Sequence, residues 1–329
     1  MTAGTGSGGR DGDVGTTGPV LAIGETLIDL IVSDGSPDLA TATTFEARDG
    51  GAPANVAVAL ARLGVSSAFG GVVGDDAFGR RLRGVLNWEG VDTSRLRATS
   101  EAPTTLAFAW KDDRGDGHFS LLRLADRLLS DEDVDGFGIP GLAGIVVGSV
   151  ALAAEPSRTA VTHAVEVAAA AGMPVVFDIN LRPSLWPNLA VAAEACRPII
   201  ERATVLKASL DDARALLGVG DDPIVALRAI AALPPRIAVL TDGARGSYLL
   251  DGDGEPHHVP AFAVDAVEPT GAGDAFTAAL VSRLIARDWA APDIEDVRYA
   301  SAAGALATTR PGAMEGLPTQ AELDEFMVS

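Results

Sequence analysis

The sequence predicts a mostly parallel β-sheet covered by helices on both faces, with a second, smaller sheet set apart from it. Three observations lead there. Short apolar, β-branched runs alternate with Ala- and Leu-rich helical patterns along most of the 329 residues. With 47% hydrophobic and 21% charged residues the chain has a globular composition, and its length allows a large core. Two turn-rich stretches, about 27–48 and 103–124, interrupt the alternation.

Residues 1–18 (MTAGTGSGGRDGDVGTTG) contain no apolar run, so they read as a flexible tail and not as a secretory signal. A single α/β domain is expected over 19–329. Its strands are predicted at 19–24, 144–149, 175–179, 204–207 and 237–241. Helices are predicted at 54–63, 157–171, 211–217, 222–232, 275–286 and 294–308. The two interrupting stretches, including TTLAFAWK and the turn DDRGDG, read as antiparallel strands of one small sheet. From periodicity alone that sheet is equally a lid or a pair of edge hairpins.

Charge and composition narrow the partners. With 45 acidic against 25 basic residues the net charge is -20, which repels nucleic acid and anionic lipid surfaces. The most apolar stretch, 142–154, is shorter than the ~20 residues of a membrane span. One cysteine, Cys196, and four scattered histidines give neither a disulfide framework nor a zinc spacing, which fits a reducing, cytoplasmic setting.

The sharpest chemical signal is Thr270-Gly271-Ala272-Gly273-Asp274 running into the helical pattern AFTAALVSRLIA. Glycines there free the backbone, and helix-start amides attract anions. Asp274 reads equally as a carboxylate beside that anion site and as a plain N-cap. A second signal is Asp49-Gly50-Gly51-Ala52-Pro53-Ala54-Asn55 before VAVALARLG, where paired glycines permit close ligand approach and Asn55 offers an amide. Asp29, inside the apolar run LIDLIV, either grips hydroxyls or faces solvent on an edge strand. Asp178-Ile-Asn180-Leu-Arg182, Lys207 and Thr241-Asp-Gly243-Ala-Arg-Gly246 all follow predicted strands, where open α/β sheets bind ligands.

Absences remove competitors. Neither lysine, Lys111 or Lys207, completes a Walker loop, and the Gly4/Gly6/Gly9 spacing follows no strand. Ile23-Gly24-Glu25-Thr26 supplies no dinucleotide fingerprint after the first strand, so a nicotinamide dehydrogenase is set aside. No G-x-S-x-G elbow or H-E-x-x-H helix is present.

GGAPANVAVALARLG (50–64), GVVGDDAFG (71–79) and PTGAGDAF (269–276), in that order, make the chain resemble the ribokinase-like, or PfkB, carbohydrate kinases over nearly its whole length after the tail. The resemblance implies a three-layer αβα sandwich with a β-sheet lid over the sugar, and a homodimer through the lids. It implies ATP and Mg2+ as co-substrate and cofactor, Asp274 as catalytic base, and the amides of Gly271, Ala272 and Gly273 as an anion hole. Asp29, Gly50, Gly51 and Asn55 would hold the sugar, and Asn180, Lys207, Thr241, Gly243 and Gly246 would flank the nucleotide. The Asn180-x-Arg182 element with Trp186 resembles the fructokinase and ketodeoxygluconate kinase branches, with Arg182 near substrate and phosphate. Arg123 or Arg182 would pair with the carboxylate of a ketodeoxy sugar acid.

Two departures from the family pattern stand out. Glu268 replaces the usual Asp in a loop where Thr270, Ala307, Arg310, Gly312 and Gly316 would hold a monovalent cation such as K+. Pro183 stands where the family's magnesium-linked Glu falls after Asn180. The expectation is a fructokinase. Its rivals are ketodeoxygluconate kinase and, from another class, a silent sugar or nucleotide sensor on the same fold.

Overall fold

A computed structural model describes residues 18–114 and 116–328. The tail expected over 1–18 lies outside the described residues except for Gly18. The first third of the described chain forms β1 (Val20–Ile23), β2 (Leu27–Val32), β3 (Phe45–Gly50), α1 (Ala52–Arg62), β4 (Ser67–Gly74), α2 (Ala77–Trp88) and β5 (Leu96–Thr99). There follow β6 (Leu106–Lys111), β7 (Gly117–Leu122), α3 (Asp131–Asp135), β8 (Gly144–Gly148), α4 (Ser157–Ala170), β9 (Val175–Asp178) and α5 (Leu189–Ile200). The remainder is β10 (Val205–Ser209), α6 (Leu210–Leu217), α7 (Pro223–Ala231), β11 (Ile237–Thr241), β12 (Ser247–Leu250), β13 (Pro256–Val259), α8 (Ala272–Ile285), α9 (Ile294–Ala307) and α10 (Gln320–Val328).

The large sheet has the order β13-β12-β11-β10-β9-β8-β1-β4-β5. Every pairing from β11 to β5 is parallel, and only the β12 and β13 edge turns antiparallel. Strand β1 shows why the sheet lies in the middle. All four of its residues are buried, and alternate side chains point to opposite faces. Val20 and Ala22 join a core with Ala57, Val58, Leu280 and Ala303 from α1, α8 and α9. Leu21 and Ile23 join the other core, with Val161, Ala192, Ala213 and Leu227 from α4 to α7. Helices therefore cover both faces, as the alternation of runs predicts.

Strand β1 pairs with β4 on one side and β8 on the other, so the chain leaves it in opposite directions. Such a switch point opens a crevice at the carboxyl ends of the strands, where ligands bind in this class of sheet. The small sheet has the order β3-β2-β6-β7 and is mixed, which corrects the antiparallel expectation. Strands β2 and β6 run parallel, since α1, β4, α2 and β5 intervene and bring the chain back in the same sense. Its central position in this sheet also removes β2, and with it Asp29, from an edge.

Candidate active site

Helix α8 begins three residues earlier than its periodicity indicates, inside the Gly-rich turn. Gly271 is its N-cap at φ +85°, and a Cβ there would lie 2.7 Å from the Ala313 carbonyl oxygen, so only glycine fits. Asp274 is the third residue of the helix and does not cap it. Its Oδ2 instead accepts a 2.7 Å hydrogen bond from Asn55 Nδ2, near the start of α1. That helix start is equally constrained. Gly51 is the N-cap at φ +109°, and a Cβ would fall 2.6 Å from the Glu25 carbonyl oxygen.

The Asp274 side chain is buried, and burial pushes its pKa up to about 7. The Asn55 hydrogen bond opposes the shift, Asp178 adds to it, and Lys207 and Arg182 oppose it again. Below the Gly-rich turn, Lys207 Nζ sits 3.0 and 3.2 Å from the two oxygens of Asp178, which also accepts from Thr277 Oγ1 at 2.6 Å. Burial works to strip Lys207 of its proton, but Asp178 and neighbouring carboxylates outweigh it and raise the ammonium above its usual value. A Cβ on Gly273 would lie 3.2 Å from Nζ, which puts a buried positive charge against the backbone of the turn.

Asp274 and Asn55 border a cavity of about 360 Å³, lined also by Glu25, Asp29, Asn180 and Arg182. Gly51, Thr270, Gly271 and Gly273 supply backbone to its wall, and Phe119 and Leu121 of β7 close it from the small sheet. Gly50 packs onto Asp29 so tightly that a Cβ would meet Oδ2 at 2.2 Å. Burial raises the Asp29 pKa to about 7, helped by Glu268 and Glu315 and opposed by Arg182. Arg182 Nη1 donates to Asn180 Oδ1 at 2.6 Å, and Asn180 itself sits at φ +41°. A carboxyl with a raised pKa beside helix-start amides can take a proton from an alcohol as charge builds on a neighbouring anion.

Several sequence-derived candidates lie elsewhere or act differently. Arg123 does not line the cavity. It is buried, and its guanidinium binds Asp126, the Val150 carbonyl and Ser157 Oγ, so it is a closed structural ion pair. Lys207 is 4% exposed and paired with both oxygens of Asp178, outside the cavity lining. The Ala272 N–H is donated to the Pro269 carbonyl at 3.2 Å, whereas Gly271 and Gly273 do border the cavity. Thr241 ends β11, and Gly243 (φ +52°) and Gly246 (φ +104°) follow it at the carboxyl edge of the sheet, all outside the cavity lining.

The cation-loop candidates converge in part. Glu268 Oε2 accepts from Gly312 N at 2.9 Å, Gly316 N donates to the Gly312 carbonyl at 3.0 Å, and a Cβ on Gly316 would meet the Ala307 carbonyl at 2.6 Å. Thr270 lies at the adjoining cavity wall, but the Arg310 guanidinium is turned to Glu322. Sequence reasoning assigned no site role to Glu25, Thr277, Phe119 or Leu121, and gave Asp178 only a place at a ligand-binding strand end. For Glu25 the available signal is a carboxylate two residues past the end of a fully buried strand.

The chain matches the pfkB family carbohydrate kinases over residues 19–320. It is 37% identical to fructokinase-1 of Zea mays over 312 residues, covering 92% of this chain and 96% of that one. A fructokinase from Xylella fastidiosa with bound ATP superposes with a TM-score of 0.82 at 29% identity, covering 94% of this chain and 98% of the other. A double mutant of a fructokinase from Vibrio cholerae O395, in a fructose-, ADP- and potassium-bound form, gives 0.81 at 34% identity with the same coverage. With the family matched across nearly every described residue, the chain belongs to the pfkB carbohydrate kinases and is a sugar kinase.

Proposed function

We propose that the chain transfers the γ-phosphoryl group of ATP to the 6-hydroxyl of D-fructose, with Asp274 as general base. The observation that carries the reading is the Asp274 carboxylate, buried at the cavity wall at the start of α8 with one oxygen held by Asn55. Oδ1 is then the atom that takes the alcohol proton as the hydroxyl oxygen bonds to phosphorus and the bond to the ADP oxygen breaks. The Gly271 and Gly273 amides and the charge of Lys207 beneath them favour the transferring anion. Lys207 acts there from below, and Thr241, Gly243 and Gly246 are left to border the nucleotide.

Fructose is preferred over a sugar acid on charge. Glu25, Asp29 and Asp274 line the cavity against a single arginine, Arg182, and Arg123 is occupied. A carboxylate substrate would meet three acids and one base. Asp29, Gly50, Gly51 and Asn55 hold the sugar, while Phe119 and Leu121 fit a lid that closes on it and excludes water. The outer face of that sheet, with Phe45 exposed beside Phe108, suits a homodimer through the lids.

Among the described residues no group of three His, Cys, Asp or Glu forms a metal cage, and Asp178 is already taken by Lys207 and Thr277. Magnesium would therefore enter on the ATP phosphates, as that ion commonly does. The Glu268–Gly312 turn is the place for a potassium ion. No helix among the described residues is long and apolar enough to cross a membrane, and the single buried Cys196 suits a reducing, cytoplasmic setting. An ADP-release assay across a sugar panel tests the reading. Fructose should give the highest kcat/KM; ATP binding without turnover of any sugar would make the chain a sensor instead.

A further inference from the structure

Glu25 is the one cavity-lining carboxyl that the proposed reaction does not use. It is 4% exposed, and its Oε2 is buried without a hydrogen-bond partner among the described residues. Leaving a polar atom buried and unpaired is costly, so a purely structural role would favour an apolar or a satisfied side chain. Arg123 acts on it only through its charge, which opposes the rise in the Glu25 pKa, and makes no hydrogen bond to it. Arg123 is tied on all sides by Asp126, the Val150 carbonyl and Ser157, and Asp126 in turn also binds Thr105 Oγ1 and Leu124 N.

The position of Glu25 is fixed by its neighbours. Gly24, at φ +150°, lies so close to Pro53 that a Cβ would meet its ring at 2.7 Å, and Gly51 presses on the Glu25 carbonyl from the other side. The bend between β1 and β2 is thus clamped to the start of α1, the same helix turn that carries Asn55. Asn55 Oδ1 is likewise buried without a partner, and Asn55 also borders the cavity. Both residues line the one cavity, and each keeps a buried oxygen without a partner among the described residues.

We infer that Glu25 is a specificity-determining residue whose carboxyl group, at the cavity wall, binds a sugar hydroxyl other than the one phosphorylated. A hydroxyl is the fitting partner, because it can donate to a carboxylate or accept from a carboxylic acid. Burial pushes the Glu25 pKa up to about 7, Asp126 and Asp274 add to the rise and Arg123 opposes it, so carboxylates outnumber cations around the group and an anionic ligand is disfavoured. This inference rests on the sugar-kinase reading of the same site, and it concerns substrate selection and not the proton transfer.

The test is a kinetic cycle with fructose and its 1-, 3- and 4-deoxy analogues, in wild type and Glu25→Leu, with Glu25→Ala used if the leucine variant does not fold. Loss of the hydrogen bond should raise the sugar KM by roughly 10- to 100-fold while the ATP KM stays unchanged. On one analogue, the one lacking the bound hydroxyl, variant and wild type should become nearly equal. Glu25→Gln should keep most of the affinity for fructose. A penalty of the same size on every analogue, or none on fructose, overturns the inference while the kinase reading stands. If wild type prefers another neutral sugar, the cycle is run with deoxy forms of that sugar; if it neither binds nor phosphorylates any, both readings fall together.

Discussion

Asn55 and Asp274, 219 residues apart in sequence, share a 2.7 Å hydrogen bond between the starts of α1 and α8. The bond orients Oδ2 and, by favouring the charged form, holds down a pKa that burial would otherwise raise further. The same contact therefore acts on both the pKa and the orientation of the proposed base.

The pH profile follows from that balance. A base must be deprotonated to act, so kcat/KM should fall on the acid side with a limb near pH 7. Asp29 and Glu25, both raised to about 7 by burial, make the limb broader or steeper than a single titration. Asn55→Leu removes a contribution that lowers the Asp274 pKa, so its limb should move to higher pH, with kcat reduced. A limb that stays in place, or moves to lower pH, would contradict the assigned cause.

Lys207 gives a second expectation, which concerns stability. Lys207→Met leaves Asp178 buried without its counter-charge and should cost about 3–5 kcal/mol in denaturant unfolding. The double variant Lys207→Met/Asp178→Asn should recover much of that loss. Because Lys207 is fully engaged beneath the turn, the ATP KM of the double variant should change far less than its kcat. A large rise in ATP KM with kcat preserved would return Lys207 to a nucleotide contact.

Gly50→Ala tests the sugar end. Its Cβ would fall 2.2 Å from Asp29 Oδ2, so the carboxylate must swing away. A misplacement of about 1 Å in a substrate-holding group costs up to ~10²-fold, and here it should appear in the sugar KM and not in the ATP KM. An unaltered sugar KM would remove Asp29 from substrate binding.

The layers of the fold were legible because β1, β8 and β9 are buried on both faces and so read as unbroken apolar runs, with helical spacing between them. The Asp274 and Asn55 positions were legible for a different reason: each stands on a helix opened by glycines whose backbone angles other residues avoid. Charged side chains at strand ends were harder. Lys207 and Asp178 are register partners on adjacent strands, and no local pattern tells whether such a lysine faces a groove or a carboxylate next door. The same holds for Arg123, whose guanidinium is taken up by Asp126 three residues on and by the distant Val150 carbonyl and Ser157 Oγ. Glu25 carries no motif at all and becomes conspicuous only when its oxygen is found buried and unpaired. The parallel β2–β6 pairing depends on the path of the intervening chain, which residue periodicity does not encode.

The central claim is that Asp274 removes the proton from the attacking hydroxyl, and single-turnover kinetics of Asp274→Asn measure it most directly. Asparagine keeps the size of the side chain and an oxygen for Asn55 but cannot accept the proton. The account predicts a fall in the phosphoryl-transfer rate of roughly 10² to 10⁴ with ATP and sugar binding nearly unchanged. A rate within a few-fold of wild type would contradict it.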